Sequence, residues 1–260
     1  MEPDQTQVTE SLSAFGLPAT VQGCLFDLDG VLTQTEKLHA RAWQQMFDEF
    51  LQRRAEDTGT EFVPFDTDED YAQYVDGKPR LEGTESFLRS RGIELPLGSD
   101  ADREGAPTAH GLSKQKNDLV HRLIDQQGVE VYPRSVDYVR RLRSSGMRCA
   151  VVSSSANARA VLRSVGITDL FDGCVDGHDA DRDQLAGKPA PDTYLAGAHL
   201  LDLSPSGAAV FDDALVGVQA GRKGGFGYVV GVDRSGHGNE LHTYGADVVV
   251  SDLGELLATR

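Results

Sequence analysis

Cysteine is scarce in this 260-residue chain, and the few that occur are not paired. The 3 cysteines, Cys24, Cys149 and Cys174, show no CxxC spacing, and the first two lie in apolar segments. An odd number of thiols without paired spacing is untypical of a secreted disulfide scaffold. We interpret them as buried free thiols of a protein from a reducing compartment, with a zinc site as the less favoured alternative.

Basic residues are also scarce. There are 25 Lys and Arg against 41 Asp and Glu, which gives a formal net charge of -16. Such a surface repels nucleic acid and anionic membranes at long range, so we expect neither as a partner. It also repels a phosphorylated substrate. Any phosphate site must therefore carry its own local positive charge. Salt screens the field of the more distant surface charges within roughly 10 Å.

Long apolar stretches are absent as well. No segment approaches the roughly 20 residues that a membrane-spanning helix needs. Residues 1–16, MEPDQTQVTESLSAFG, are acidic and polar, whereas a secretion signal begins basic and continues apolar. We expect a short, partly disordered lead-in, followed by a cytoplasmic monomer. Hydrophobic residues still make up 39% of the chain, which is enough for a core.

Several short apolar runs each lead abruptly into polar or acidic residues. Continuous apolar runs of this kind are typical of strands that are covered on both faces. Helical patterns at residues 158–165 and 191–201 lie between some of them. Strands that alternate with helices predict an α/β fold with a parallel, doubly wound sheet. The runs occupy residues 21–26, 149–152, 208–211, 228–232 and 247–250.

The stretch between the first run and the second differs in character. Residues 35–51 place Leu38, Ala42, Met46 and Phe50 at helical spacing, which predicts an amphipathic helix. Acidic loops follow, and residues 114–126 predict a second helix. Because no strand-like run occurs here, we predict a helical domain at residues 35–129, inserted into a core formed by residues 1–34 and 130–260.

Polar side chains follow three of the predicted strands. Asp27 and Asp29 follow the first, Ser153 the second, and Asp212 and Asp213 the third. Ligands of parallel α/β sheets bind at the carboxyl ends of the strands. Four carboxylates at one edge repel each other unless a cation lies among them. Oxygen ligands suit Mg²⁺, which completes its shell with water and phosphate, so we predict a magnesium and phosphate site.

The Asp27-Leu28-Asp29 segment predicts a division of roles. Alternate side chains of an extended segment point the same way, so both carboxylates can face one ligand. One can attack phosphorus to form an aspartyl-phosphate, and the other can transfer a proton. Lys188, in Gly187-Lys188-Pro189, can hold nucleophile and phosphate together as a point charge. The Ser153 hydroxyl, with N–H groups of the next helix start, can bind a phosphate oxygen.

Each element has a simpler interpretation when it is taken alone. Asp-x-Asp-Gly occurs in ordinary turns and in calcium loops, although Val31 and Leu32 occupy positions where a calcium loop needs other residues. Ser153 and Asn157 would suit a helix cap, and Asp212-Asp213 a charge pair at a helix start. Their joint order along the chain favours the functional interpretation.

Four segments together resemble the motifs of the haloacid dehalogenase superfamily: FDLDGVL at 26–32, VSSS at 152–155, KPAPD at 188–192 and FDDA at 211–214. The resemblance implies a Rossmann-like core with an inserted α-helical cap. It implies that Asp27 carries the phosphoryl group and that Asp29 is the general acid/base. It also implies Mg²⁺ held by the Asp27 carboxylate, the Asp29 backbone carbonyl and Asp213, with Asp212 nearby or acting through water.

Within that superfamily the chain resembles the β-phosphoglucomutases. The cap segments that carry the resemblance are HARAW with His39 and Trp43, Arg80 after YVDG, and KND with Lys116. In that family the matching arginine and lysine help to hold the sugar phosphate, and the histidine contacts the acid/base aspartate. The simpler alternatives are surface ion pairs and a helix packing face. The substrate-binding residues so implied are His39, Trp43, Arg80, Lys116, Ser154 and Asn157.

Some positions depart from the pattern of that family. Gln34 stands where an aspartate is usual, Asp212 replaces a glutamate, and Ala214 replaces a common serine. The cap also has longer segments at residues 53–75 and 95–111. These departures bear on the identity of the substrate more than on the type of reaction.

Three functional hypotheses remain open from the sequence. The first is an isomerase that converts β-D-glucose 1-phosphate to glucose 6-phosphate through an aspartyl-phosphate and a bisphosphate, with cap closure excluding water. The second is a Mg²⁺-dependent phosphatase that acts on a small phosphorylated metabolite. The third, and least favoured, is a binding protein without catalysis, since Asp27, Asp29, Ser153, Lys188 and Asp213 are all present.

Overall fold

The computed structural model describes residues 13–234 and 236–257, so most of the expected N-terminal lead-in lies outside the described residues. The chain divides into two compact units, with boundaries after Gln34 and after Val129. None of the helices in the described part is long and apolar enough to cross a membrane. The helices are α1 Glu36–Thr58, α2 Arg80–Ser90, α3 Ala109–Gln127, α4 Pro133–Ser144, α5 Ala158–Ser164, α6 Gly177–Asp183, α7 Asp192–Leu200, α8 Leu215–Lys223 and α9 Gly238–Tyr244.

A six-stranded parallel sheet forms the centre of the first unit. Its order is β3-β2-β1-β4-β5-β6, so the chain builds outward from β1 in both directions. The point where the order reverses, between β1 and β4, is where open α/β sheets bind ligands. The predicted parallel α/β fold is confirmed. The strands are β1 Gly23–Phe26, β2 Arg148–Val152, β3 Gly173–Val175, β4 Ala208–Asp212, β5 Tyr228–Val232 and β6 Val248–Val250.

The first strand is buried throughout because it lies between two parallel neighbours. Cys24 of β1 lies opposite Cys149 of β2 in the register. Both thiols are free and buried, as predicted, and Cys174 is free and partly buried. Burial raises the pKa of the Cys24 thiol, and it raises the pKa of Cys149 to about 12. The two central thiols therefore serve as small apolar side chains of the sheet.

The second unit is helical, and aromatic side chains form its core. Phe47 stacks on Trp43 with ring centroids 5.3 Å apart and contacts Phe87 at 4.1 Å. Phe65 lies 5.3 Å from Phe47 and completes the group. Trp43 is therefore 3% exposed and part of a packing face, in line with the simpler interpretation of this residue.

The two predicted helices of this unit are longer than the sequence pattern indicated. Helix α1 continues to Thr58 and ends at Gly59, whose φ of 69° allows its N–H to bond Ala55 O. Helix α3 begins at Ala109, because the Thr108 hydroxyl accepts the Gly111 N–H at 3.0 Å. Helix α2 was not predicted at all. Its N-cap is Pro79, which makes no side-chain cap bond, so the usual start signal of a Ser, Thr, Asp or Asn cap is lacking.

Candidate active site

The centre of the site is Lys188, which lies between two carboxylates. Its Nζ is 2.5 Å from Asp27 Oδ1 and 2.7 Å from Asp212 Oδ2. Asp27 follows β1 and Asp212 ends β4, so adjacent strands deliver the two acids to the same edge of the sheet. Lys188 is 1% exposed and Asp212 is fully buried. The low local dielectric makes these charge-assisted bonds strong, and it also makes each group costly to leave unpaired.

The Asp212 carboxylate accepts bonds at both of its oxygens. The Tyr194 hydroxyl donates to Oδ2 at 2.5 Å, in addition to Lys188, and the Ala214 N–H donates to Oδ1 at 3.0 Å. The glycine at position 217 provides the space for this carboxylate, because a Cβ there would lie 1.8 Å from Asp212 Oδ2. This geometry favours Asp212 as the residue that holds Lys188 in place. Its role as a metal ligand stays a prediction.

The turn after Asp27 brings a further carboxylate close. Gly30 has a φ of 80°, and a Cβ at Gly30 would lie 1.7 Å from Asp213 Oδ2. The turn is closed internally, since the Gly30 N–H bonds Thr33 O at 2.8 Å and the Leu32 N–H bonds Leu28 O at 2.9 Å. The glycine is thus required both for the backbone conformation and for the approach of Asp213 to the segment that carries Asp29.

The negative charges at the carboxyl ends of β1 and β4 favour the binding of a further cation. Burial raises the pKa of Asp27 to about 8, and the charges of Asp212 and Asp29 raise it too, although Lys188 opposes them. Burial alone would lower the pKa of Lys188, but attraction to Asp212 and Asp27 outweighs it and raises the pKa above its usual value. The ammonium group is therefore fully charged. A divalent ion would relieve the repulsion among the carboxylates at this edge.

The donor chemistry fits Mg²⁺. All the side chains at this edge that resemble the metal ligands of the family are carboxylates, which are hard oxygen donors. Among the described residues, no three acidic, histidine or cysteine side chains are grouped closely enough to hold a metal by themselves. A site that relies on two carboxylates, a backbone carbonyl, water and phosphate suits Mg²⁺, since this ion usually keeps several waters.

The loop after β2 is ordered by its own serines. Ser153 is 2% exposed, and its Oγ accepts the Ser155 N–H at 3.1 Å. The Ser155 Oγ in turn accepts the Asn157 N–H at 3.2 Å. The Ser153 hydroxyl hydrogen is still able to donate to a phosphate oxygen. Asn157 is the N-cap residue of α5, although its side chain makes no cap hydrogen bond to the helix. Ser154 lies partly buried in the same loop.

A second group of predicted residues lies together within the helical unit. Lys116 Nζ is 2.9 Å from His39 Nδ1 and 4.7 Å from the centroid of a Trp43 ring. Arg80 donates to Asn117 Oδ1 at 2.6 Å. Burial, together with the charges of Lys116 and Arg80, lowers the pKa of His39 well below its usual value, so this histidine is neutral and can accept from Lys116. Lys116 is 5% exposed, which is too buried for an ordinary surface ion pair.

Comparison with known proteins agrees with this geometry. A family model described as haloacid dehalogenase-like hydrolase matches residues 21–225. A Mycobacterium bovis protein named β-phosphoglucomutase is 51% identical over 245 residues, which cover 93% of this chain and 94% of that protein. A Bacillus subtilis protein of the same name is 29% identical over 236 residues, with 91% and 92% covered.

The chain belongs to the β-phosphoglucomutase family of haloacid dehalogenase-like hydrolases. A solved structure of β-phosphoglucomutase from Clostridium difficile covers 91% of this chain and 93% of its own, with a TM-score of 0.72. At 24% identity this likeness shows the fold alone. It agrees with the α/β core and the helical cap of the family.

Two residues of the site were missed at the level of sequence. Tyr194 bonds Asp212, and Arg234 donates to the Gly30 carbonyl at 2.7 Å. A signal existed for Arg234, because it follows the end of β5 by two residues, at the same edge as Asp27 and Asp212. Tyr194 gave no signal, since its ring occupies an apolar position of α7, and its contacts with Lys188 and Asp212 depend on the fold.

The Tyr194 bond fits the departure of this chain from the usual glutamate of the β-phosphoglucomutase family. Asp212 is one methylene shorter than glutamate, and the tyrosine hydroxyl reaches its carboxylate at 2.5 Å. Burial and the negative charge of Asp212 raise the pKa of Tyr194 well above its usual value, so the hydroxyl remains a donor. Tyr194 thereby keeps Asp212 aimed at Lys188.

Tyr194→Phe should therefore destabilise the protein by about 1.5–3 kcal/mol, the worth of a buried hydrogen bond to a charged group. Urea unfolding would measure the free energy of unfolding. Tyr244→Phe is the matched control, because Tyr244 is 42% exposed and should change the free energy by less than ~0.5 kcal/mol. Equal effects of the two substitutions would contradict the importance of the Tyr194 bond.

Proposed function

We propose that the protein is a β-phosphoglucomutase, which converts β-D-glucose 1-phosphate to glucose 6-phosphate through an aspartyl-phosphate and a bisphosphate intermediate. The observation that carries the choice of reaction is the 51% identity, over 245 residues, to the mycobacterial protein of that name. The geometry at the end of β1 and β4 supports the chemistry, because it joins a candidate nucleophile, a fixed cation and further carboxylates.

In this proposal Asp27 attacks phosphorus and carries the phosphoryl group as an acyl phosphate. Lys188, 2.5 Å from Asp27 Oδ1, orients the nucleophile and balances the charge that builds up on the transferred group. Asp29 takes the proton from the attacking hydroxyl or gives it to the leaving oxygen. The order of these two steps reverses between the halves of the reaction, which is why one carboxylate has to serve as both acid and base.

Mg²⁺ is the proposed cofactor. When bound, it would supply positive charge between the phosphoryl oxygens and the carboxylates. Asp27, Asp213 and the Asp29 backbone carbonyl would hold it, and the glycine at position 30 supports this because it admits Asp213 to the turn. Ser153, Ser154 and Asn157 would bind oxygens of the phosphoryl group, since they lie on the loop that follows the neighbouring strand β2.

The helical unit supplies the features expected of a second anion site. A mutase must bind a sugar with a phosphate at each end, and only one end can be at the nucleophile. Lys116 and Arg80 are cations within an otherwise acid-rich segment, and the neutral His39 beside them adds no charge. We propose that Lys116 and Arg80 bind the phosphate that is not being transferred, and that His39 and Trp43 position Lys116.

The proposed partner is thus a small phosphorylated sugar, and we propose a monomer that works in the cytoplasm. The free thiols support a reducing compartment. The formal net charge of -16 supports the absence of nucleic acid from its partners.

The test of the proposed reaction compares two products in one sample. The protein receives β-glucose 1-phosphate, Mg²⁺ and a small amount of glucose 1,6-bisphosphate as primer. Glucose 6-phosphate is followed through a coupled dehydrogenase, and free phosphate is followed by a colorimetric assay. We expect formation of glucose 6-phosphate to far exceed release of phosphate. Phosphate release without glucose 6-phosphate would instead establish the phosphatase alternative.

Lys116→Met tests the proposed second anion site. Loss of a charge-assisted bond of about 1.5–3 kcal/mol should raise KM for the sugar phosphate by roughly 10–100-fold. Lys114→Met is the matched control, because Lys114 is on the same helix but exposed, and we expect its KM to remain unchanged. Steady-state kinetics would measure both variants. Equal KM values for the two variants would show that Lys116 does not bind the second phosphate.

A further inference from the structure

One partly buried arginine connects the catalytic turn to the rest of the first unit. Arg234 Nε donates to Gly30 O at 2.7 Å, and its Nη2 lies 3.4 Å from Val31 O and 3.2 Å from Ser135 Oγ. Its Nη1 donates to Ser251 O at 2.6 Å. We propose that Arg234 is a positioning residue, which fixes the turn that carries Asp29 and thereby sets the distance between that turn and Asp213.

The surroundings of Arg234 favour a fixed guanidinium. Its carbon lies 3.5 Å from the centroid of the Tyr132 ring, and the side chain is 13% exposed. Asp252 Oδ2 lies 3.6 Å away and balances the charge. A planar group with several N–H donors in fixed directions can bond these separate acceptors together, whereas an ammonium group on a flexible stem cannot.

The turn depends on these external bonds at three successive carbonyls. Gly30 O and Val31 O accept from Arg234, and Leu32 O accepts the Tyr132 N–H at 2.9 Å. The ring of the same Tyr132 stacks on Arg234, so one stacked pair holds all three carbonyls. Loss of the guanidinium therefore removes the Arg234 bonds to the Gly30 and Val31 carbonyls.

The consequence for the reaction follows from the closeness of Gly30 and Asp213. A Cβ on Gly30 would overlap the Asp213 carboxylate, at 1.7 Å from Oδ2, so even a small movement of the turn changes this approach. Asp29 precedes Gly30 directly and moves with it. Since catalysis is sensitive to displacements of about 1 Å, a loosened turn should lower the rate without removing any group that touches the substrate.

Hydrogen exchange on the free protein tests the inference without any assumption about the substrate. In Arg234→Met, which keeps the apolar stem on Tyr132, the amides of Gly30, Leu32 and Thr33 should exchange at least ~10-fold faster. Amides of β2, Arg148–Val152, should be unaffected. Arg222→Met is the matched control, because Arg222 donates to Gly245 O and pairs with Asp247 at the start of β6 rather than at the catalytic edge.

Two further measurements separate positioning from a general structural role. Mg²⁺ titrated calorimetrically into the free Arg234→Met protein should bind roughly 10-fold more weakly, and kcat should fall by about 10–100-fold with little change in KM. Arg234→Lys keeps the charge but not the planar arrangement of donors, so its Mg²⁺ affinity and its kcat should lie between those of the parent and Arg234→Met. If Arg234→Met does not fold, Arg234→Lys carries the same comparison.

The inference is overturned if protection of the turn is unchanged, or if β2 and the turn lose protection equally. It is also overturned if Arg222→Met has the same effect on the turn as Arg234→Met. The inference rests on the proposed function only in the role that it gives to Asp29. The inference and the proposed function can therefore fail separately. Local opening of the turn in a protein without mutase activity would reject the proposed reaction and keep the positioning role.

Discussion

Replacing Asp27 with Asn should lower kcat by at least ~10⁴-fold, because an amide cannot attack phosphorus and no second nucleophile lies at this position. Asn keeps the size of the side chain and one oxygen for Lys188, so the packing of the site is retained. The measurement is the coupled assay for glucose 6-phosphate. Asp181→Asn, at an exposed position of α6, is the matched control and should retain the parental rate.

The same variant should be at least as stable as the parent when metal is absent. The pKa of Asp27 is raised from 3.8 to about 8, so at pH values between these two the folded protein disfavours the carboxylate that the unfolded chain readily forms. The resulting loss of stability begins above pH 3.8 and grows until pH 8. An amide avoids it. Thermal unfolding at pH 7 in a chelator should therefore show an equal or higher Tm for Asp27→Asn, and a clearly lower Tm would contradict this electrostatic picture.

The sequence was most informative where a strand ends. Asp27 and Asp212 each follow an uninterrupted apolar run, and parallel strands bring such ends to one edge regardless of their distance along the chain. The parallel α/β class and the convergence of these two residues could therefore be predicted. Lys188 is 161 residues from Asp27, and its motif, rather than any periodicity, indicated that it belongs at this edge.

The sequence was least informative where a contact depends on a single atom. Strand β3 has only three residues, of which Gly173 and Cys174 are partly buried, so its apolar run is too short to stand out. Tyr194 occupies a position where any large apolar ring would pack, and its hydroxyl acts only because Asp212 is near. The position of Arg234 after β5 places it at the catalytic edge, but the backbone carbonyls that it binds leave no pattern in the sequence.

The cap residues illustrate a third case, in which two interpretations are both partly right. Trp43 packs in an aromatic core, as the simpler alternative holds, and it also lies under the Lys116 ammonium at 4.7 Å. Helical spacing predicts the packing but not the cation above the ring. A single residue can thus shape the core and the candidate anion site together, because a cation–π contact needs a ring that is already fixed.

Lys188→Met should lower both stability and activity, with the second largest effect on the reaction. Methionine fills the space of the lysine stem but leaves Asp27 and Asp212 buried without their shared cation. Removing one partner of a buried ion pair costs about 3–5 kcal/mol, and urea unfolding would measure this loss. The coupled assay should show a fall in kcat of roughly 10²–10³-fold, which is typical for loss of one charge-stabilising group.

A double variant identifies the cause of that loss. If the destabilisation comes from the uncompensated carboxylates, Asp27→Asn should raise the free energy of unfolding by more in Lys188→Met than it does in the parent, since the carboxylate it removes then has no cation beside it. If it comes only from lost packing, the two effects should simply add. Lys223→Met, at an exposed position of α8, is the control for removal of a lysine as such, and it should leave stability unchanged within ~0.5 kcal/mol. A larger gain in Lys188→Met than in the parent, with activity still absent, would establish Lys188 as the counter-ion of a nucleophile that cannot be replaced.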